Sequence, residues 1–203
     1  MSTATAFSSR TTPIAPAARR LPPFPTAAAL RLEQVTRAEL EHVFVNGAQP
    51  DLDAIVGWEF RGINHPAWAS VLGIKKFIKG FYRQDARVMG YNCPVEQNIL
   101  DGRWVAKPED TAPKRFGFYE VAPVDPTRRD NFYLHAVLLD YGRGGNAKLD
   151  PTAGLRDYLV QVDPANPDLF LGKAYYALGP ARVPTNFFIL ERHRRALTDY
   201  ARR

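Results

Sequence analysis

The stretch "AIVGWEFRGIN", residues 54–64, is where the chain first turns from loop chemistry to interior chemistry. Trp58 and Phe60 alternate with Glu59 and Arg61, the period of two that puts apolar rings on one face of a strand and charges on the other. The alternation reads as a strand whose Trp58 either plugs a core or floors an apolar pocket, with Glu59 and Arg61 as a solvated pair on the opposite face. The same texture continues to residue 191 as short apolar or aromatic runs separated by Gly, Pro, Asn and Asp. Strands are predicted at 54–63, 74–83, 87–92, 95–99, 115–121, 131–140, 155–163, 168–178 and 184–191. Prolines agree with this division, because a residue without an N–H is confined to strand starts, edges and loops. Strands following one another through short connections satisfy their edges best by closing on themselves. The expectation is a mainly β fold built on a single antiparallel β-barrel.

Outward from the strands, "VTRAELEHVFVNG" (35–47) has Thr36 and Glu39 in capping-box spacing and Gly47 placed to end a short helix. Residues 1–32 carry four arginines, no acid and many prolines, which predicts a disordered N-terminal tail; its composition also leaves organelle import open. The predicted organisation is therefore a tail over 1–32 and a barrel domain over 33–203, with an N-terminal helix and a basic C-terminal segment. "HPAWASVLG" (65–73) reads as a helical turn and "DYGRGGNAKLDPTAGL" (140–155) as a long Gly-rich connection.

The 203 residues carry a formal charge of +6, concentrated in the two ends, while 33–190 is close to neutral. A neutral body argues against a groove that tracks phosphates, so no nucleic-acid partner is expected. The arginines of 192–203 offer a site for an acidic partner. Cys93 is the sole cysteine, which excludes an internal disulfide and a multi-cysteine metal cluster and favours a cytoplasmic setting. No run of about 18 apolar residues predicts a membrane span.

Gly57-Trp58 on the first strand after a short helix, the "LGKAYY" strand (171–176) and the closing "NFFILER" (186–192) resemble a calycin or lipocalin-like β-barrel. They are also similar to the GXWXG group of uncharacterised barrel proteins. The resemblance implies that Trp58 closes the barrel base and that Arg192 packs over it as a cation–π pair.

Candidate binding residues are Trp58 and Phe60 with Tyr133, His135, Tyr158 and Tyr175, aromatic or amphipathic side chains suited to a small hydrophobic or amphipathic ligand inside the barrel. His135, in an apolar run, is also a candidate proton carrier, as is Asp157 on "LRDYLVQVD", opposite in face to Tyr158 and Val160. These two support the alternative of a barrel enzyme, an isomerase or cyclase acting on a lipid-like substrate. Lys173 is read as outward near a rim or facing a carboxylate. The basic and aromatic face of "KKFIKGFYR" (75–83), with Lys75, Phe77, Lys79, Phe81 and Arg83, is read as a solvated face or a charged entrance. No metal site and no cofactor are implied, and no nucleophile elbow or HExxH occurs.

Overall fold

The computed structural model describes residues 21–65, 73–147 and 149–197. The first 20 residues of the predicted tail, most of the 65–73 connection and the last six residues of the basic segment lie outside the described residues. Among the described residues, three short helices, α1 (Ala27–Gln34), α2 (Arg37–Val45) and α3 (Leu52–Ile55), precede eight strands. These are β1 (Trp58–Asn64), β2 (Lys76–Gln84), β3 (Arg87–Pro94), β4 (Phe116–Pro123), β5 (Val137–Asp140), β6 (Leu155–Asp163), β7 (Asn166–Leu178) and β8 (Ala181–Arg195). Each strand pairs antiparallel with the next and β8 pairs with β1, so the sheet is a closed barrel with no free edge. No helix among the described residues is long and apolar enough to cross a membrane.

Local chemistry accounts for the elements. Thr36 and Glu39 form the expected capping box, the Glu39 amide donating to Thr36 Oγ1 and the Thr36 amide to Glu39 Oε2, which satisfies two otherwise orphaned donors. α1 occupies residues that composition assigns to the tail: Thr26 caps it and also donates through N and Oγ1 to Glu191 of β8, a long-range anchor invisible in a local reading. Within the barrel, Gly62 lies opposite Phe77 and Gly172 opposite Phe188. A Cβ at either glycine would meet the facing ring at 2.3 or 2.0 Å, so the missing side chain is what lets each ring lie flat against the neighbouring strand.

Two apolar cores result, one on each side of the wall. The inner core holds Phe60, Phe81, Tyr119, Leu139, Phe170 and Leu190, capped below by Ile55 of α3. The outer core lies between the wall and a cover made by α1, α2 and the connections around 95–106 and 124–136. This second layer explains the main departures from the expected pattern. Glu59 and Arg61 are buried, at 0% and 1% exposure, because the outward face of β1 is covered. Arg61 Nε lies 2.9 Å from Glu191, its NH2 donates to the carbonyl of Pro22, and Glu59 accepts from Tyr91 and Arg194 at 2.9 and 2.7 Å. Arg192 and Arg194 of the basic segment have their own acids, Asp168 for the first and Glu59 with Asp110 for the second.

Two predicted strands differ. Over 131–140 only Val137–Asp140 is strand; the Ala136 amide donates to the carbonyl of Tyr133, and that turn breaks the alternation upstream. Residues 95–99 make one isolated bridge, Val95 with Ala106, because the Gln97 amide bonds the start of β2 in place of a ladder.

His193, on β8 beneath this cover, stays neutral: burial, with the Arg61 and Arg194 charges, pushes its imidazole down to about 4 from 6.5. Between pH 6.5 and 4 the unfolded chain takes up a proton that the folded chain does not. Stability is therefore expected to fall as pH drops through that window, by up to ~3 kcal/mol. Urea midpoints for wild type and His193→Gln should diverge there; parallel curves would show that His193 is not held neutral.

Candidate functional site

The two ends of the barrel differ. At the α3 end the interior is full: Phe60 meets Phe81 and Phe170 edge-to-face, both at 5.4 Å between centroids. Trp58 closes this end under Arg192, whose guanidinium carbon lies 4.7 Å from the ring centroid, with Arg195 at 3.8 Å. Arg192 also donates to Asp168 at 2.8 Å and to the carbonyls of Ala54 and Pro167, tying α3 and the start of β7 to the plug. The pairing implied by the barrel resemblance is present, and Trp58 and Phe60 are part of a filled base.

At the opposite end the barrel holds a pocket of about 230 Å³, just below the roughly 300–1,000 Å³ usual for ligand sites. Its walls are mainly apolar, chiefly Phe77, Phe116, Leu155, Ala174 and Phe188, with Asn64, Thr152 and Asn186 also on the lining. Its floor is polar and buried. Lys79 of β2 and Asp157 of β6, 2% and 3% exposed, meet across the lumen with Nζ 3.1 Å from Oδ2. Nζ also donates to Asn92 Oδ1 at 3.0 Å and to the Tyr141 hydroxyl. Tyr141, on the 3₁₀ turn after β5, donates to Asp157 Oδ2 at 3.1 Å. Asn92 donates to the Gly117 carbonyl at 2.8 Å and to the Tyr141 oxygen at 3.3 Å.

Three acceptors around one amine are the set that an ammonium's three N–H groups satisfy. Burial pulls the Lys79 amine below the ordinary lysine value, with the Asp157 carboxylate opposing. The rings of Tyr119, Tyr141 and Phe188, 4.8–5.2 Å from Nζ, add cation–π attraction. Burial raises the Tyr119 and Tyr141 hydroxyls well above the ordinary phenol value, so both stay protonated.

Of the sequence candidates, Asp157 alone lines this pocket. Tyr133, His135, Tyr158 and Tyr175 do come together, but on the outside of the wall beneath α2. The Tyr133 and Tyr175 hydroxyls are 2.7 Å apart, Tyr133 and Tyr158 pack edge-on at 5.1 Å, and His135 Nε2 lies 3.1 Å from the Phe44 carbonyl. Once Asp157 and Ala174 face inward, strand alternation sends Tyr158 and Tyr175 outward. Lys173 joins this outer cluster, bonded to Glu41 at 2.6 Å and to the Tyr133 hydroxyl. Burial opposes its charge, but those bonds outweigh it and hold the amine above its ordinary value. Cys93 is buried too, and burial raises its thiol to about 12, leaving it unreactive.

Tyr141 and Asn92 are not among the candidates, and Lys79 is among them only as one charge of the basic and aromatic face over 75–83. Of the 75–83 face, expected to be solvated or a charged entrance, Phe77, Lys79 and Phe81 are buried in the barrel, while Arg83 is exposed and Lys75 is partly exposed beside Glu33. A signal was present: Lys79 sits between Phe77 and Phe81 at i±2, and Asp157 between Leu155 and Leu159, so two apolar faces each carry one charge of opposite sign. No family model, curated protein or solved structure matches the chain, so the likeness to known barrels rests on architecture alone.

Proposed function

We propose that this protein binds a small amphipathic molecule in the open end of its barrel, its polar end on the floor formed by Lys79, Asp157, Tyr141 and Asn92. The observation that carries this reading is the division of the lumen into a filled base and a pocket with apolar walls over a buried polar floor. A pocket this size suits a compact ligand or the inner end of a longer one. The calycin-type likeness, with Trp58 under Arg192, supports the same reading, since such barrels serve as holders of small molecules. The pocket residues stand in place of Tyr133, His135, Tyr158 and Tyr175, which face away from the lumen.

The test is a thermal-shift and NMR screen of the full chain against small uncharged, acidic and basic compounds. Binding at 100 times Kd is expected to add about 2.7 kcal/mol of stability, with chemical-shift changes at Phe77, Ala174 and Phe188. A screen without stabilisation, or with changes confined to the outer cluster, overturns the reading. A second reading, an enzyme on the same scaffold, is favoured by one observation: Tyr141 donates to Asp157 on the pocket floor. There Asp157 would take a proton from the substrate and return it at another atom, the balance an isomerase needs. Ligand C–H exchange in deuterated water, lost in Asp157→Asn, would separate enzyme from binder.

A further inference from the structure

The hydrogen-bond account of the pocket floor specifies the ligand's polar group, granted the pocket reading above. Lys79 uses all three of its N–H groups, on Asp157, Asn92 and Tyr141. Asn92 uses both amide hydrogens, on Gly117 and Tyr141, and the Tyr141 hydroxyl uses its one, on Asp157. No donor on the floor is left over. On the acceptor side the balance is unequal: Asp157 Oδ2 accepts from Lys79 and Tyr141, while Oδ1 is buried and accepts nothing from the protein. A carboxylate has about four lone-pair sites, and leaving a buried one unmatched is costly. The net charge of the floor is also balanced, one ammonium against one carboxylate.

We infer that the pocket selects an uncharged ligand carrying a hydroxyl or N–H donor, an alcohol, phenol or amide, which bonds Asp157 Oδ1. A ketone or ether finds no free donor on the floor, and a carboxylate adds a second negative charge beside Asp157. Oδ1 is turned away from solvent, so the ligand engages it through a small rotation of the carboxylate about Cβ–Cγ, a soft torsion. The apolar walls take the remainder of the molecule, with Phe77 and Phe188 set edge-to-face at 6.0 Å on one side.

Matched compounds test this on the intact chain: phenol against anisole, and benzyl alcohol against acetophenone and benzoate, titrated by NMR. The expected result is at least tenfold tighter binding of phenol and benzyl alcohol than of their donor-free partners, with benzoate weakest. In Lys79→Met/Asp157→Leu, which removes both charges and leaves neither orphaned, phenol and benzyl alcohol should lose their advantage, because Oδ1 is gone and the Tyr141 hydroxyl is released as a free donor. If anisole, acetophenone or benzoate binds wild type as well as or better than the donors, this inference falls while the pocket reading stands. If none of these compounds binds and the wider screen is also empty, both fall.

Discussion

Replacing Asp157 with alanine should lower the melting temperature by roughly 6–20 °C. The reason is the position of Lys79, which is 2% exposed inside the lumen and ringed by Tyr119, Tyr141 and Phe188. Removing one partner of a buried ion pair leaves an uncompensated charge and costs about 3–5 kcal/mol. In a domain of this size each kcal/mol moves the midpoint by about 2–4 °C. Two companion results discriminate this from simple loss of packing. The double variant Lys79→Met/Asp157→Leu, with apolar side chains of similar length, should recover most of the loss. The single variant should also become more stable as pH rises toward the ordinary lysine value of 10.5, because burial unopposed by Asp157 favours the neutral Lys79 amine in the folded state while the unfolded chain keeps its proton. Calorimetry of the three proteins across pH checks both points. A shift below about 4 °C, within the range of one kcal/mol, would show that the pair does not bear on stability.

Filling the pocket should have the opposite profile, with binding lost and the fold kept. Ala174 of β7 faces the lumen, is paired beside Asp157 of β6 and lines the pocket. A phenylalanine there projects into existing space, so Ala174→Phe is expected to shift stability by no more than about 1–2 kcal/mol, in either direction. Any ligand found by screening should weaken at least 100-fold, since the ring occupies the volume the ligand needs. Trp58→Phe at the filled base provides the contrast: it weakens the Arg192 contact without touching the pocket, and affinity should stay within about twofold. Isothermal titration with both variants distinguishes a lumen site from one elsewhere. Equal affinity for wild type and Ala174→Phe would move binding out of the barrel.

How far the sequence could be read depended on how local the cause was. The strand over 155–163 was legible to the residue, since its alternation and its flanking Gly154 and Pro164 are all nearby. The Thr36–Glu39 cap was legible for the same reason. The 131–140 run misled because "NFYLHAVLL" has strand composition throughout, while a local turn closes at Tyr133–Ala136 and a distant partner, the Phe44 carbonyl of α2, meets His135. Lys79 and Asp157 were read singly, one on a solvated face or charged entrance and one as a candidate proton carrier, because 78 residues separate two side chains that meet at 3.1 Å.

The sequence alone determined the class of structure, consecutive antiparallel strands closing into one barrel behind a capped helix, because period, capping and turn chemistry act over a few residues. Tertiary structure decided which face of each strand looks inward, and therefore which residues form the floor and which form the outer cluster. Both faces of this wall are covered, one by the lumen core and one by the helices and connections. With apolar residues required on both sides, alternation no longer marks an inside. Only closure of β1 on β8 selects the face on which Lys79 and Asp157 converge.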